Sequence, residues 1–186
     1  MADETSLKNQ FLVAMPGLGD GVFDRSVTLV CEHNDEGALG LVVNRPTDLH
    51  LVAMLDHMAV AHDSLAGDPI VYWGGPMQPE RGFVVHDSAA QWQTSLPLAD
   101  GLYVTTSRDI LAALGRGEGP PHYLVVLGYA GWGAGQLDEE MLENVWLSAP
   151  VDTSLIFNRP APERWRAAAG LLGFDISRLA SQAGHA

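Results

Sequence analysis

The chain has 186 residues, with 23 acidic against 10 basic side chains, a formal net charge of −13 and 47% hydrophobic residues. This length fits one domain with its own core, and the composition excludes a disordered protein. Lys8 is the only lysine, so the charge argues against direct binding to nucleic acid or to anionic membrane surfaces.

Cys31 is the only cysteine, so no intramolecular disulfide can form and a reducing compartment is favoured. The chain has no run of 18 apolar residues, and its early apolar run at residues 11–15 is too short for a signal peptide. We therefore expect a cytoplasmic protein made of one domain over residues 1–186, with residues 1–8 as a flexible N-terminus.

Strand patterns dominate the first half of the chain. The predicted strands cover residues 10–15, 27–32, 39–44, 70–73 and 83–86. The second and third should form an antiparallel hairpin around the four-residue loop 34–37, and the last two should pair with each other. Pro46 should end the third strand because it cannot donate to a ladder. Apolar residues at helical spacing predict a helix from Leu51 to about His62.

Strands and helices alternate in the second half. The predicted elements around the central stretch are a strand at 102–106, a helix at 108–114, a strand at 154–157 and helices at 162–172 and 176–183. Ser107 is placed to N-cap the first of these helices. Together the patterns predict a mixed α/β domain with a largely antiparallel mixed sheet and helices packed on its faces.

A glycine-rich stretch at the centre of the chain separates an apolar run ending at Leu127 from a helical pattern. The pattern predicts a strand, a glycine corner and a helix capped by Asp138. Its spacing is not G-x-G-x-x-G, no P-loop lysine follows, and the acidic residues 138–140 would repel a phosphate. We interpret the stretch as a structural corner that presents Trp132 and Gln136.

Four side chains are candidates for catalysis, and each has a structural alternative. Cys31 and His33 share one face of a predicted strand, but the charge of Glu32 would raise the thiol pKa. His86 and Ser107 allow a hydrolytic arrangement on paper, yet no G-x-S-x-G motif is present. None of the seven histidines has the i, i+4 spacing of a helical zinc site, so we expect no metal and no cofactor.

One short motif occurs twice. Asn44-Arg45-Pro46 and Asn158-Arg159-Pro160 both follow a predicted strand and precede a predicted helix. Two matching corners are too few to establish an internal duplication.

Several ordered motifs are spread over nearly the whole chain. They lie at residues 11–16, 26–34, 37–44, 74–76, 82–86, 106–109, 144–147 and, with the sequence LGYAGWGAGQL, 127–137. In these motifs the chain resembles the YqgE/AlgH family of bacterial proteins. The resemblance implies a cytoplasmic α/β domain in a family without an established biochemical activity. One branch of that family is associated with regulation of alginate production, described as transcriptional.

The leading hypothesis is a non-catalytic regulatory or interaction protein that binds a protein partner or a small ligand, with no oligomeric state predicted. Its candidate binding surface consists of Glu32, His33, Asn44, Arg45, Gly74, Gly75, Thr106, Ser107, Asp109, Trp132, Gln136 and Asn144. The first alternative is a hydrolase-like or thiol-dependent enzyme. The second, a direct DNA-binding regulator, would need a contiguous face formed by Arg45, Arg108, Arg159, Arg164 and Arg166.

Overall fold

The fold is seen in a computed structural model that describes residues 6–16, 21–89, 92–173 and 175. The strands are β1 Gln10–Ala14, β2 Val27–Asn34, β3 Gly37–Val42, β4 Pro46–His50, β5 Ile70–Trp73, β6 Met77–His86, β7 Ser95–Pro97, β8 Tyr103–Thr105, β9 Tyr123–Trp132 and β10 Trp146–Pro150. The helices are α1 Leu51–His57, α2 Asp109–Gly115, α3 Gln136–Leu142, α4 Thr153–Asn158 and α5 Ala161–Gly170. The predicted mixed α/β class with a mainly antiparallel sheet is confirmed.

Strand β9 is the centre of the curled sheet. The main path runs β10-β1-β2-β3-β9-β6-β8-β7 with antiparallel neighbours, and β5 joins β9 in parallel while also pairing with β4. Strands β3 and β5 therefore meet end to end along one edge of β9, where the Val42 N–H donates to the Gly74 carbonyl at 2.9 Å. Strand β6 occupies the opposite edge of β9.

Three apolar clusters hold the helices to this sheet. One contains the buried side chains of α4 and α5, among them Ile156 and Trp165. A second packs α1 and α2 through residues such as Leu55 and Ile110. The third surrounds Leu137 of α3. In the part of the chain described, no helix is both long and apolar enough to cross a membrane.

The predicted hairpin is confirmed, and its details explain where Cys31 lies. Asn34 pairs with Gly37, so the loop between β2 and β3 has two residues rather than the predicted four. The register shifts between Val30 and Glu32, which places Cys31 in a β-bulge. The predicted pairing of strands 70–73 and 83–86 is wrong, because both pair with β9 instead.

The predicted strand at 154–157 is also wrong, since these residues belong to α4. The Asp152 side chain accepts the Ser154 N–H at 3.0 Å and caps the helix, a local signal that outweighs the short apolar run. Helix α5 confirms the helix predicted at 162–172, although it ends at Gly170. The predicted helix 176–183 and residues 1–5 of the predicted flexible N-terminus lie outside the described residues.

The glycine stretch is part of a strand rather than a corner. Strand β9 continues through Gly128 to Trp132, because Gly128 takes a positive φ of 80° where a Cβ would meet the Gly75 carbonyl. Helix α3 then begins at Gln136 with Gly135 at the N-cap position, so Asp138 is not the cap.

Two further local predictions are corrected. Strand β3 ends at Val42, but Pro46 begins another strand, β4, whose pairing is confined to β5. A proline fits the first residue of such an edge strand because no ladder bond from its nitrogen is needed there. Helix α2 begins at Asp109 with Arg108 at the N-cap position, so Ser107 lies one residue too early to be its N-cap.

Candidate functional site

Cys31 is a buried residue with a structural environment. Its side chain is 3% exposed, and its Sγ lies 3.7 Å from the Leu29 carbonyl. Burial, reinforced by the charge of Glu32, raises the pKa of the thiol to about 12. At neutral pH the group is therefore a thiol rather than a nucleophilic thiolate, which disfavours thiol chemistry.

His33 contacts the N-terminal segment and helix α3 rather than the thiol. Its Nδ1 accepts the Leu7 N–H at 2.8 Å, and its Nε2 lies 3.3 Å from Oδ1 of Asp138. The neighbouring Glu32 is exposed. His33 thus ties strand β2 to two other parts of the chain.

His86 is fully buried and belongs to a hydrogen-bond chain. The Ser88 N–H donates to Nδ1 at 3.2 Å, so in the neutral ring the proton is on Nε2, which lies 2.7 Å from Oγ1 of Thr105. Thr105 Oγ1 is in turn 2.6 Å from Ser95 Oγ. Burial lowers the pKa of His86 and favours this neutral form. A ring that already donates from Nε2 is not placed to deprotonate a serine.

Ser107 organises the entry to helix α2. Its Oγ donates to Oδ1 of Asp109 at 2.5 Å and accepts the Thr94 N–H at 3.0 Å. Thr106 and Ser107 also line a small cavity of about 110 Å³ that includes Met54 and Met58. The structure shows no contact between Ser107 and His86 among the bonds of the described residues.

The remaining candidates from the central stretch gather around a carboxylate. Trp132 and Trp146 are buried, and both indole N–H groups donate to Oε1 of Glu140, at 3.3 and 3.0 Å. Gln136 is exposed, donates to Oε2 of Glu140 at 3.0 Å and accepts the Gly133 N–H at 3.0 Å. Asn144 is exposed, at a positive φ of 58° just after α3.

Gly74 and Gly75 are interior residues. A Cβ on Gly74 would meet the Gly128 carbonyl, and one on Gly75 would meet the backbone of Tyr129. These two glycines therefore permit β5 to lie against β9. The residues of the predicted binding surface therefore lie in several separate parts of the fold, and their binding role stays a prediction.

The last two candidates, Asn44 and Arg45, border a strongly charged concavity. This cavity of about 720 Å³, hereafter the arginine cleft, lies between the loops flanking β2 and β3 and the start of α5. Its charged lining consists of Arg25, Arg45, Arg159, Arg166, Asp24 and Glu163. The lining contains four arginines and two acidic residues, a local excess of two positive charges in a chain of net charge −13.

Two of the four arginines are held against aromatic rings. The Arg25 guanidinium lies 5.5 Å from the ring centroid of Trp165, and that of Arg45 lies 5.4 Å from Trp73. Arg45 also donates to the carbonyls of Val22 and Asp24. Partial burial lowers the pKa of Arg45, and the Asp24 carboxylate opposes that effect.

The arginines proposed for a DNA-binding face do not form one surface. Arg45, Arg159 and Arg166 share the arginine cleft, but Arg108 donates to the Met58 carbonyl beside a different cavity. Arg164 is 5% exposed and points inward. Within the described ranges, no three His, Cys, Asp or Glu side chains are grouped as a metal site would need.

Sequence reasoning missed the cleft itself and the membership of Arg25, and it grouped Arg45, Arg159 and Arg166 only as part of a face for DNA. Two signals were available in the chain. The Asn-Arg-Pro motif occurs twice, and three arginines fall within residues 159–166 of a chain that has only ten basic residues. Neither signal predicts that the two Asn-Arg-Pro segments lie close together in space, because this depends on the packing of α5.

Comparison with known sequences agrees with the resemblance found in the motifs. A family model described as AlgH-like matches residues 11–177. A UPF0301 protein of Thioalkalivibrio sulfidiphilus is 52% identical over 186 residues, which cover 100% of both chains. Another, from Methylococcus capsulatus, is 53% identical over 180 residues and 96% of each chain.

Two solved structures are similar over almost the full length. The solution structure of AlgH from Pseudomonas aeruginosa has a TM-score of 0.78 and 43% identity, covering 100% of this chain and 99% of that one. The X-ray structure of a Corynebacterium diphtheriae protein has a TM-score of 0.76, covering 97% and 94% of the two chains. At 21% identity, the second shows a shared fold alone.

Proposed function

This chain belongs to the AlgH-like family, and from that premise we propose that it is a cytoplasmic, non-catalytic regulatory protein that binds a negatively charged ligand in the arginine cleft. One observation carries the proposal: four arginines line a cavity of about 720 Å³ in an otherwise acidic chain. Guanidinium groups bind carboxylates and phosphates through paired N–H donors, so their grouping favours an anionic ligand.

The non-catalytic part is supported by the bonds of the candidate catalytic groups. Cys31 is a buried thiol with a raised pKa. His86 donates to the buried hydroxyl of Thr105, which pairs with the half-buried hydroxyl of Ser95, and Ser107 donates to Asp109. The burial and hydrogen bonds of these groups therefore hinder them from acting as a nucleophile or a general base.

The regulatory and cytoplasmic parts rest on other grounds. The regulatory link is the one implied by the family resemblance, and a buried free cysteine is compatible with a reducing compartment. With a net charge of −13, regulation through a small ligand or a protein partner is favoured over direct contact with DNA.

A ligand screen tests the proposal. Thermal unfolding of the wild-type protein is followed at low salt with carboxylates, phosphates, sulfate and an acidic peptide. A ligand at about 100 times its Kd should stabilise the fold by about 2.7 kcal/mol. The stabilisation should be lost in the double variant R159A/R166A and kept in R116A, whose arginine pairs with Glu118 outside the cleft.

Two results would contradict the proposal. If every anion that stabilises the protein does so equally in R159A/R166A, the cleft is not the binding site. If a bound ligand is recovered chemically altered after long incubation, as read by one-dimensional NMR, the protein is not a non-catalytic binder.

A further inference from the structure

The two Asn-Arg-Pro segments meet at the arginine cleft. Arg45 comes from the connection between β3 and β4, and Arg159 comes from the connection between α4 and α5. Arg164 joins their backbones, because its Nη1 donates to the Val43 carbonyl at 2.6 Å and its Nε donates to the Arg159 carbonyl at 2.9 Å. The repeated motif thus supplies one arginine from each of two connections that a buried side chain holds together.

A third side of the cleft is fixed by unusual backbone geometry. Arg25 has a positive φ of 55°, a region that non-glycine residues seldom adopt. Asn44 holds this conformation: its Nδ2 donates to the Arg25 carbonyl at 2.9 Å while its Oδ1 accepts the Val27 N–H at 2.9 Å. Asn44 thus fixes the Arg25 backbone, and the contact with the Trp165 ring holds the guanidinium before any ligand arrives, which lowers the entropic cost of binding.

The net positive charge of the cleft is complementary to the charge of a dianion. Four arginines against Asp24 and Glu163 leave two positive charges, and the first turn of the ten-residue helix α5 adds its partial positive charge. Within the described residues, the buried Arg164 has carbonyl partners and no carboxylate partner. A phosphate monoester carries about −1.5 to −2 charges at pH 7 and presents three acceptor oxygens to guanidinium donors.

Size and long-range charge favour a small molecule over a polyanion. At physiological salt, charges are screened beyond about 8 Å. A small ligand in the cleft lies within this distance of the cleft arginines, so their charge dominates its electrostatic interaction with the protein. A long polyanion would extend over a surface that belongs to a chain of net charge −13. The ring of Trp165 in the cleft is 5% exposed and already lies under Arg25, so no free aromatic face is offered to a nucleobase.

We infer that the ligand of the arginine cleft is a small phosphate monoester, bound by guanidinium groups of both Asn-Arg-Pro segments together with Arg25 and Arg166. This inference rests on the proposed function and narrows its ligand to one chemical class. Arg45 and Arg25 are held in place by their aromatic and carbonyl contacts, whereas Arg159 and Arg166 are exposed and make no ion pair with a described residue.

Isothermal titration with glycerol 3-phosphate provides the test. Binding at pH 7.5 should weaken about tenfold or more in R159A and in R166A, because a charge-assisted hydrogen bond is lost. R159K should fall between wild type and R159A, since lysine keeps the charge but lacks the paired donors. R116A should bind like wild type, and circular dichroism verifies that each variant is folded.

A pH series identifies the dianion. The second pKa of a phosphate monoester is about 6, so the affinity should fall about fourfold between pH 7.5 and 5.5 if the dianion is the bound form. Sulfate, which stays doubly charged over this range, should bind with little change. A flat pH profile for glycerol 3-phosphate would overturn the inference.

Other probes separate this inference from the proposed function. Binding of succinate or an acidic peptide that depends on Arg159, with none of glycerol 3-phosphate, would overturn the phosphate inference and leave the proposed function standing. Arg159-dependent binding of an oligonucleotide in preference to glycerol 3-phosphate would also overturn it. Absence of binding by every anionic probe would overturn both.

Discussion

Oε1 of Glu140 accepts the indole N–H of Trp146 at 3.0 Å, and this bond connects helix α3 to strand β10. The same oxygen accepts the indole N–H of Trp132 at 3.3 Å, so one carboxylate serves two buried rings. The rings themselves meet edge to face with centroids 6.2 Å apart. A single half-buried acidic residue thereby fixes the end of the glycine-rich stretch.

Replacing Glu140 by alanine should destabilise the fold by about 2–4 kcal/mol, because two buried indole donors lose their acceptor. Glu140→Gln should cost less, since one acceptor oxygen remains. Urea unfolding monitored by tryptophan fluorescence gives the free energies. Glu143→Ala, at an exposed position near the end of the same helix, should change stability by less than about 0.5 kcal/mol. Equal losses in the Glu140 and Glu143 variants would contradict this role.

Arg164→Ala should destabilise the protein by about 2–4 kcal/mol, because the carbonyls of Val43 and Arg159 both lose a charged donor. Arg166→Ala, two residues later on the same helix but exposed, should cost less than about 0.5 kcal/mol. Chemical denaturation of both variants measures the difference. If the two alanine variants were equally stable, Arg164 would not hold the two Asn-Arg-Pro segments together.

The sequence was a good guide wherever one local pattern determined the structure. The β2–β3 hairpin and helix α5 follow directly from alternation, helical spacing and turn residues, and helix α1 begins at the predicted Leu51 but ends at His57, short of the predicted His62. The strand predicted at 154–157 was wrong because a short apolar run fits a strand or a buried helix equally well, and the Asp152 cap favours the helix. The predicted pairing of β5 with β6 was wrong because it assumed that strands adjacent in sequence are adjacent in the sheet, whereas each of them pairs with β9.

The candidate site was less predictable than the fold. Asn44 and Arg45 were found because a turn motif marks them, and both border the arginine cleft. Arg25 has no local signal, since an exposed arginine in a loop is an ordinary feature, and Arg166 was named only for a DNA-binding face. Their meeting depends on the docking of α5, where the Trp165 indole N–H donates to the Ala14 carbonyl at 3.0 Å, across 151 positions of the chain.

Cys31 should resist alkylation in the folded protein. Its burial and its pKa of about 12 leave almost no accessible thiolate at pH 8. Mass spectrometry after treatment with iodoacetamide should show little modification of the native protein and complete modification in urea. Rapid labelling of the native protein would contradict the structural interpretation and revive the thiol-dependent alternative.

His86 should make the fold less stable in mild acid. Burial lowers the pKa of His86 in the folded state below the unfolded value of about 6.5, so the unfolded chain binds the proton more readily. The stabilisation from the neutral ring is therefore present above about pH 6.5 and is lost as the pH falls through the folded pKa. Urea unfolding of wild type and His86→Gln between pH 7.5 and 5 should show a shallower loss in the variant.

His62 is the matched control for that series because its pKa shifts in the opposite direction. Its hydrogen bond to Asp56 raises the pKa of this partly exposed ring, so the protonated ring favours the folded state as the pH falls. Removing it in His62→Gln should steepen the loss of stability in acid. An identical pH profile for wild type and His86→Gln would contradict the role assigned to His86.

Gly75 should tolerate no side chain. It adopts a positive φ of 153°, and a Cβ there would collide with the backbone of Tyr129 on β9. Because backbone cannot move aside as a flexible side chain can, Gly75→Ala should cost more than about 2 kcal/mol in urea unfolding. Gly170→Ala is the control: it lies at the end of α5 with nothing within 4 Å of its added Cβ and should be neutral or slightly stabilising. Equal stability of the two alanine variants would show that β5 can lie against β9 without the close approach at Gly75.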